Sequence, residues 1–151
     1  MERNADFTAS LIDPAACQTC APNRVRDTTP TTENPYGTLT IRRRYTNNTG
    51  RTITRLRFRV VNVTTLPVPA GTADVRVRTS ADSFVTLTNG TTITVKGTTL
   101  ETPPSQPLGG GWNSSIAVSG GLAPGASVDV QFVLGLIQTG TFRFFFNVEA
   151  D

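Results

Sequence analysis

Cys17 and Cys20, a scatter of acids and a run of alternating arginines are the residues here whose types and spacing suggest chemistry, and no histidine accompanies them. Histidine supplies the commonest general base near neutral pH and the commonest transition-metal ligand. Serine-type and cysteine-type triads therefore lose their usual base, and common zinc sites lose their nitrogen ligands. Cys17-Gln-Thr-Cys20 has the spacing of a redox pair or of half a zinc knuckle. Redox pairs of the thioredoxin type open a helix within a strand–helix–strand unit, whereas the flanks here are DPAA and APNR. A four-ligand zinc site needs two further soft ligands that the chain lacks, so only an intermolecular zinc site stays open, and a CxxCH haem site fails because Ala21 follows Cys20. The favoured reading is a local disulfide in an exported protein. Its loop is too small to add much stability in the chain-entropy picture.

The acids Asp74, Asp82, Glu101, Asp129 and Glu149 fall on different strands and loops. A glycosidase needs two carboxylates facing each other across a cleft, and calcium loops of the D-x-D-x-D kind are absent. These acids are expected on the solvated surface. The sequence assigns no catalytic residue, no metal site and no cofactor, and the enzyme reading is set aside.

Arginine carries the rest. In TRLRFRVVNV, residues 54 to 63, Arg55, Arg57 and Arg59 alternate with Leu56, Phe58 and Val60. Successive side chains of an extended chain point to opposite faces, so the stretch has an oily side and a cationic side. Arg42, Arg44, Arg76 and Arg78 occupy the same outward phase of their own segments. If these strands are neighbours, the guanidinium groups form a panel that self-repulsion disfavours unless anions lie opposite. Acids or threonines of adjacent strands would satisfy it internally. Alternatively the panel docks something acidic, such as an anionic polysaccharide or an acidic neighbouring subunit, because the planar guanidinium pairs two oxygens at once. Nucleic acid is disfavoured, since no aromatics interleave on that face. Trp112, after PLGGG, is a candidate for stacking on a sugar ring or, more simply, for plugging the end of the core.

Strands must position all of this. The 151 residues fit one ordinary domain, and threonine, commonest of all, favours strands over helices. From Tyr36 onward alternation recurs: Leu39, Ile41 and Tyr45, with Arg43 awkwardly in the same phase unless a bulge intervenes. Further alternating sets are Ile53, Leu56, Phe58 and Val60; Val75 and Val77; Val128, Val130, Phe132, Leu134 and Leu136; and Phe142, Phe144, Phe146 and Val148. NNTG at 47–50 reads as a turn using positive φ. Asn89-Gly90 is the best two-residue hairpin signal. Eight or nine short strands with regular turns predict an all-β, antiparallel two-sheet sandwich, with a small barrel as the second choice.

Residues 1–35 differ in composition and are set apart as an N-terminal arm on a sandwich of residues 36–151. The arm holds one strand-like stretch, with Phe7, Ala9 and Leu11 alternating, and then a loop dense in Pro and Thr. That strand could add to its own domain's edge or be donated to the next molecule, building a filament. No run approaches the roughly 20 apolar residues of a membrane-spanning helix. MERNADFTASL lacks a signal peptide's apolar core, which leaves either a cytoplasmic protein or a mature or recombinant segment whose leader is missing, and the second is the preferred expectation.

YTNNTGRTITRLRFRVVNVT, followed much later by GGLAPGASVDVQFVLG, resembles the immunoglobulin-like domains of large bacterial surface and secreted proteins, the CARDB and DUF11-like groups. The positions that carry the resemblance are Asn48, Thr49 and Gly50 in an early turn and Leu122, Pro124, Gly125 and Ser127 in a late one. It covers residues 36 to 150. It implies an extracellular, non-catalytic module, and the expected function is structural or adhesive, with self-association or neighbouring domains as partners. The alternative is a carbohydrate-binding module for acidic polysaccharide, using the arginines and Trp112.

Overall fold

The structure, a computed structural model, describes residues 6–65, 69–101 and 113–151. These form an all-β sandwich of two sheets, with eleven strands among the described residues. In chain order they are β1 (Phe7–Ser10), β2 (Arg24–Asp27), β3 (Thr38–Asn47), β4 (Ile53–Val63), β5 (Asp74–Arg78), β6 (Ser83–Thr86), β7 (Thr92–Gly97), β8 (Thr99–Leu100), β9 (Ser114–Leu122), β10 (Ser127–Gln138) and β11 (Phe144–Ala150).

The larger sheet is built on β3 and β10, antiparallel in unbroken register from Ser127 opposite Thr46 to Gly135 opposite Thr38. On the free side of β10, β5 pairs antiparallel with its C-terminal half, β7 pairs parallel at Val130 and Gln131, and β6 follows β7. The free side of β3 carries a split edge: β1 lies opposite residues 44–47 and β2 opposite residues 38–41. The smaller sheet runs β11–β4–β9–β8.

Alternation puts one apolar face of each sheet against the other. Tyr45 and Phe132 from the larger sheet meet Phe58, Phe144 and Phe146 from the smaller, with Phe58 and Phe132 4.8 Å apart, edge to face. Phe132 and Phe146 are also 4.8 Å apart, and Tyr45 and Phe58 5.3 Å. Edge-to-face and tilted pairs at this spacing set the negative ring faces against positive ring edges, adding to the apolar burial. A second cluster, Leu39, Ala73, Val75, Val77, Leu134 and Leu136, fills the space beneath β5.

Two turns differ from their sequence reading. At 47–50 no residue has positive φ, and Gly50 is not an exception. The buried Asn47 side chain shapes the turn instead: its Oδ1 accepts from the Thr49 amide (2.9 Å) and hydroxyl (2.6 Å), while its Nδ2 donates to the carbonyls of Arg51 (2.9 Å) and Leu122 (2.8 Å). The Asn47 backbone bonds Gly125 and Ala126, so one residue staples the early turn to the late one. At the β6–β7 hairpin the Leu87 amide donates to the Thr91 carbonyl, and only Gly90 takes positive φ, at 84°. A two-residue turn would need Asn89 at positive φ as well, so the loop settles as three residues, with Gly90 at the left-handed position.

The segment set apart by composition contributes both β1 and β2 to the larger sheet. Arg24–Asp27 lies in the stretch expected to be loop, yet its backbone pairs with β3 from Arg24 opposite Ile41 to Asp27 opposite Thr38. After β1 the apolar phase also shifts. Ile12, not Leu11, is the buried residue, packing with Val85 and Val95 of the β6–β7 hairpin. Next to it the Asp13 carboxylate accepts from the Thr88 amide at 2.7 Å and the Thr88 hydroxyl at 3.1 Å. Buried Asn23 closes the loop, donating to the carbonyls of Asp13 (2.8 Å), Ala16 (3.3 Å) and Cys17 (3.1 Å). Further on, Asn34 crosses so closely over Gly135 that a Cβ there would lie 1.8 Å from its Oδ1.

Phe58 is wholly buried at the centre of the ring cluster. Phe58→Ala is expected to cost about 3–5 kcal/mol in urea unfolding, whereas Phe84→Ser, at an 81% exposed position, should stay within about 0.5 kcal/mol of the parent.

Candidate functional site

The seven outward arginines do not form one face. Arg55, Arg57 and Arg59 lie on the outer surface of the smaller sheet, and Arg42, Arg44, Arg76 and Arg78 on that of the larger. The sandwich thickness separates the two sets, so the shared panel expected from sequence is replaced by two smaller groups.

Both groups are largely compensated. On the smaller sheet, Glu149 stands opposite Arg57 in register. Its Oε2 accepts from Arg57 Nη1 at 2.8 Å and its Oε1 from Arg59 Nε at 2.6 Å. Glu101, just past β8, accepts from Arg57 Nε at 2.7 Å and also pairs with Arg55. Asp151 lies 3.6 Å from Arg55 Nη1 and ends the row. On the larger sheet Arg44 grips Asp129 with two bonds, 2.8 and 2.9 Å, across the β3–β10 register. Arg76 does the same to Asp74 of its own strand at 2.8 and 3.0 Å. The remaining two hold the N-terminal segment: Arg42 donates to Gln131 (3.2 Å) and the Pro22 carbonyl (3.0 Å), Arg78 to Asn34 and the Glu33 carbonyl (both 3.0 Å).

Asp82, paired with Lys96 at 2.5 Å, lies on the solvated surface as expected, whereas Asp74 and Glu149 depart from it. Asp74 is 1% exposed and Glu149 7%. Burial alone would raise the Glu149 pKa, but hydrogen bonds from Arg59 and Arg57 outweigh it and hold the carboxyl below its ordinary value. Hydrogen bonds to Glu101 and Glu149 correspondingly favour the charged form of the Arg57 guanidinium, raising its pKa. Arg42 shows the opposite effect, because burial without a carboxylate partner lowers its pKa.

Cys17 and Cys20 are joined as a disulfide, with their Cα atoms 5.0 Å apart. Phe7, Ala9 and the rest of β1 occupy the edge of their own domain, paired with residues 44–47, while Leu11 lies just past the strand end. Trp112 lies outside the described residues.

One arginine points the other way. Arg43 shares the inward phase of Ile41 and Tyr45, and the unbroken β3–β10 register shows that no bulge rescues it. The split edge does. Ser10 lies opposite Arg44 and Arg24 opposite Ile41, so no strand residue stands beside Arg43 on that side. Its side chain lines a cleft of about 390 Å³ between the sheets, with Phe7, Ala9, Ile41, Tyr45, Phe132, Phe144, Phe146 and Val148 as the other walls. Burial pushes the Tyr45 phenol far above its ordinary pKa, opposed by the nearby Arg43 charge, so Tyr45 is neutral there. Nothing in the sequence pattern marked this cleft except the misfit of Arg43 itself.

Among the described residues no group of three or more His, Cys, Asp or Glu side chains is placed to hold a metal, and no helix is long and apolar enough to cross a membrane. No family model, no curated protein and no solved structure matches the chain.

A carboxyl whose folded-state pKa lies below its unfolded one adds stability that is complete above the unfolded value and lost as pH falls through the folded one. Glu149→Gln should therefore cost about 1–3 kcal/mol at neutral pH, and its unfolding free energy should fall less steeply on acidification than the parent's, measured by urea titrations from pH 7 downward.

Proposed function

We propose that this chain is a non-catalytic structural or adhesive module acting outside the cell, as a domain of a bacterial surface protein of the kind its turn motifs resemble. The observation that carries the reading is how few charged groups the outer faces leave uncommitted: Arg44, Arg55, Arg57, Arg59 and Arg76 each bond a carboxylate of the same chain. Contact with partners then falls to sheet edges, where unpaired backbone groups can extend the ladder. The Cys17–Cys20 disulfide agrees with an oxidising compartment. Acidic polysaccharide is the weaker alternative, because its arginines are divided between opposite faces and engaged by acids.

Self-association would run through β1, a four-residue strand seated on β3 by backbone pairing. In a filament β1 of one copy would take the same place on β3 of the next. Thr8 and Thr46 are direct partners in this register, so Thr8→Cys with Thr46→Cys can lock the strand at home. Light scattering at rising concentration should show growth for the parent and for each single variant, and none for the oxidised double variant. Growth of the locked chain, or a parent that stays monomeric throughout, contradicts strand exchange.

A further inference from the structure

We propose that the cleft between the sheets binds a small amphiphilic carboxylate, its acyl or aryl body among the aromatic walls and its carboxylate on Arg43. This stands on an observation separate from the edge-strand reading above, namely an inward arginine at a gap in the sheet edge.

The cleft, at about 390 Å³, is of the size of small-molecule sites and, like them, apolar with few polar groups. Among its lining residues Arg43 is the one charged side chain. A guanidinium carries five donors and no acceptor, and Arg43 donates from Nη1 to the Arg42 carbonyl, at 2.7 Å. No carboxylate among the described residues pairs with it, in contrast to Arg44, the next residue of the same strand on the opposite face, which has Asp129 on both prongs. A cation beside an apolar wall is costly unless an anion compensates it, and a carboxylate meets the guanidinium fork bidentately. The rest of the ligand must be apolar, since the walls are the inner faces of both layers: Ile41, Tyr45 and Phe132 on one side, Phe144, Phe146 and Val148 on the other. A guest at that depth sits between the layers rather than extending a ladder, which favours a small molecule over an added strand. Neutral and cationic amphiphiles gain the same walls and lack the match to Arg43.

The test is isothermal titration of the full chain with decanoate below its micellar concentration, beside 1-decanol and decyltrimethylammonium as neutral and cationic probes with the same tail. Arg43→Met keeps an apolar stem and removes the charge. Ala9→Trp fills the cleft from an exposed position on β1 and leaves Arg43 in place. Both variants should melt like the parent. One decanoate should bind per chain, in preference to both other probes; Arg43→Met should weaken it about tenfold or more and erase its advantage over decanol, and Ala9→Trp should abolish it. The locked Thr8→Cys/Thr46→Cys chain should bind decanoate like the parent, whatever becomes of filament growth. Absence of binding, decanol binding as tightly as decanoate, or an Arg43→Met chain that binds like the parent overturns the proposal. So does a parent dimer that Ala9→Trp dissociates and decanoate does not, because a second copy would then be the cleft's occupant.

Discussion

The ring cluster that joins Tyr45 and Phe132 to Phe58, Phe144 and Phe146 is the contact on which the rest depends. Each sheet contributes about half of it, so neither layer can keep its apolar face dry alone. With the inward face fixed by those rings, period-two alternation forces the intervening residues outward. On β4 these are Arg55, Arg57 and Arg59, and on β3 they are Arg42 and Arg44. The outer charge pattern is therefore a consequence of the core register.

A row of like charges two residues apart would oppose the sheet that holds it. The chain answers with carboxylates drawn from neighbouring strands: Glu149 from β11, Glu101 from beyond β8, Asp129 from β10. Because Glu149 is buried, its pairing also fixes where β11 sits against β4. The larger sheet uses Arg42 and Arg78 differently, to hold the carbonyls and side chains of residues 22 to 34 across its outer surface. Asp13, Asn23 and Ile12 complete that attachment at the β6–β7 hairpin.

The sandwich was legible because alternation is local: Val130, Phe132, Leu134 and Leu136 announce their face without knowing their partners. What sequence could not supply was strand order. Nothing in RLRFR shows that Glu149 will lie beside it, some ninety residues on, nor that β4 and β3 belong to different sheets. Arm residues were harder still, since RVRD offers only four residues of pattern and becomes a strand through the edge of β3. Asn47 was visible only as part of a turn, and its second partner, Leu122, is set by tertiary packing. Arg43 is the instructive case: its misfit with the apolar phase was readable, and the gap between β1 and β2 that accommodates it was not.

Arg44 and Asp129 form an isolated two-bond pair at the centre of the larger sheet. A double-mutant cycle with Arg44→Met and Asp129→Asn, followed by urea unfolding at low and high salt, tests most directly whether outward charge is neutralised within the chain. The account predicts a coupling of about 0.5–1 kcal/mol that shrinks as salt rises. Additive effects, unchanged by salt, would contradict it and return the arginines to the role of an open cationic surface.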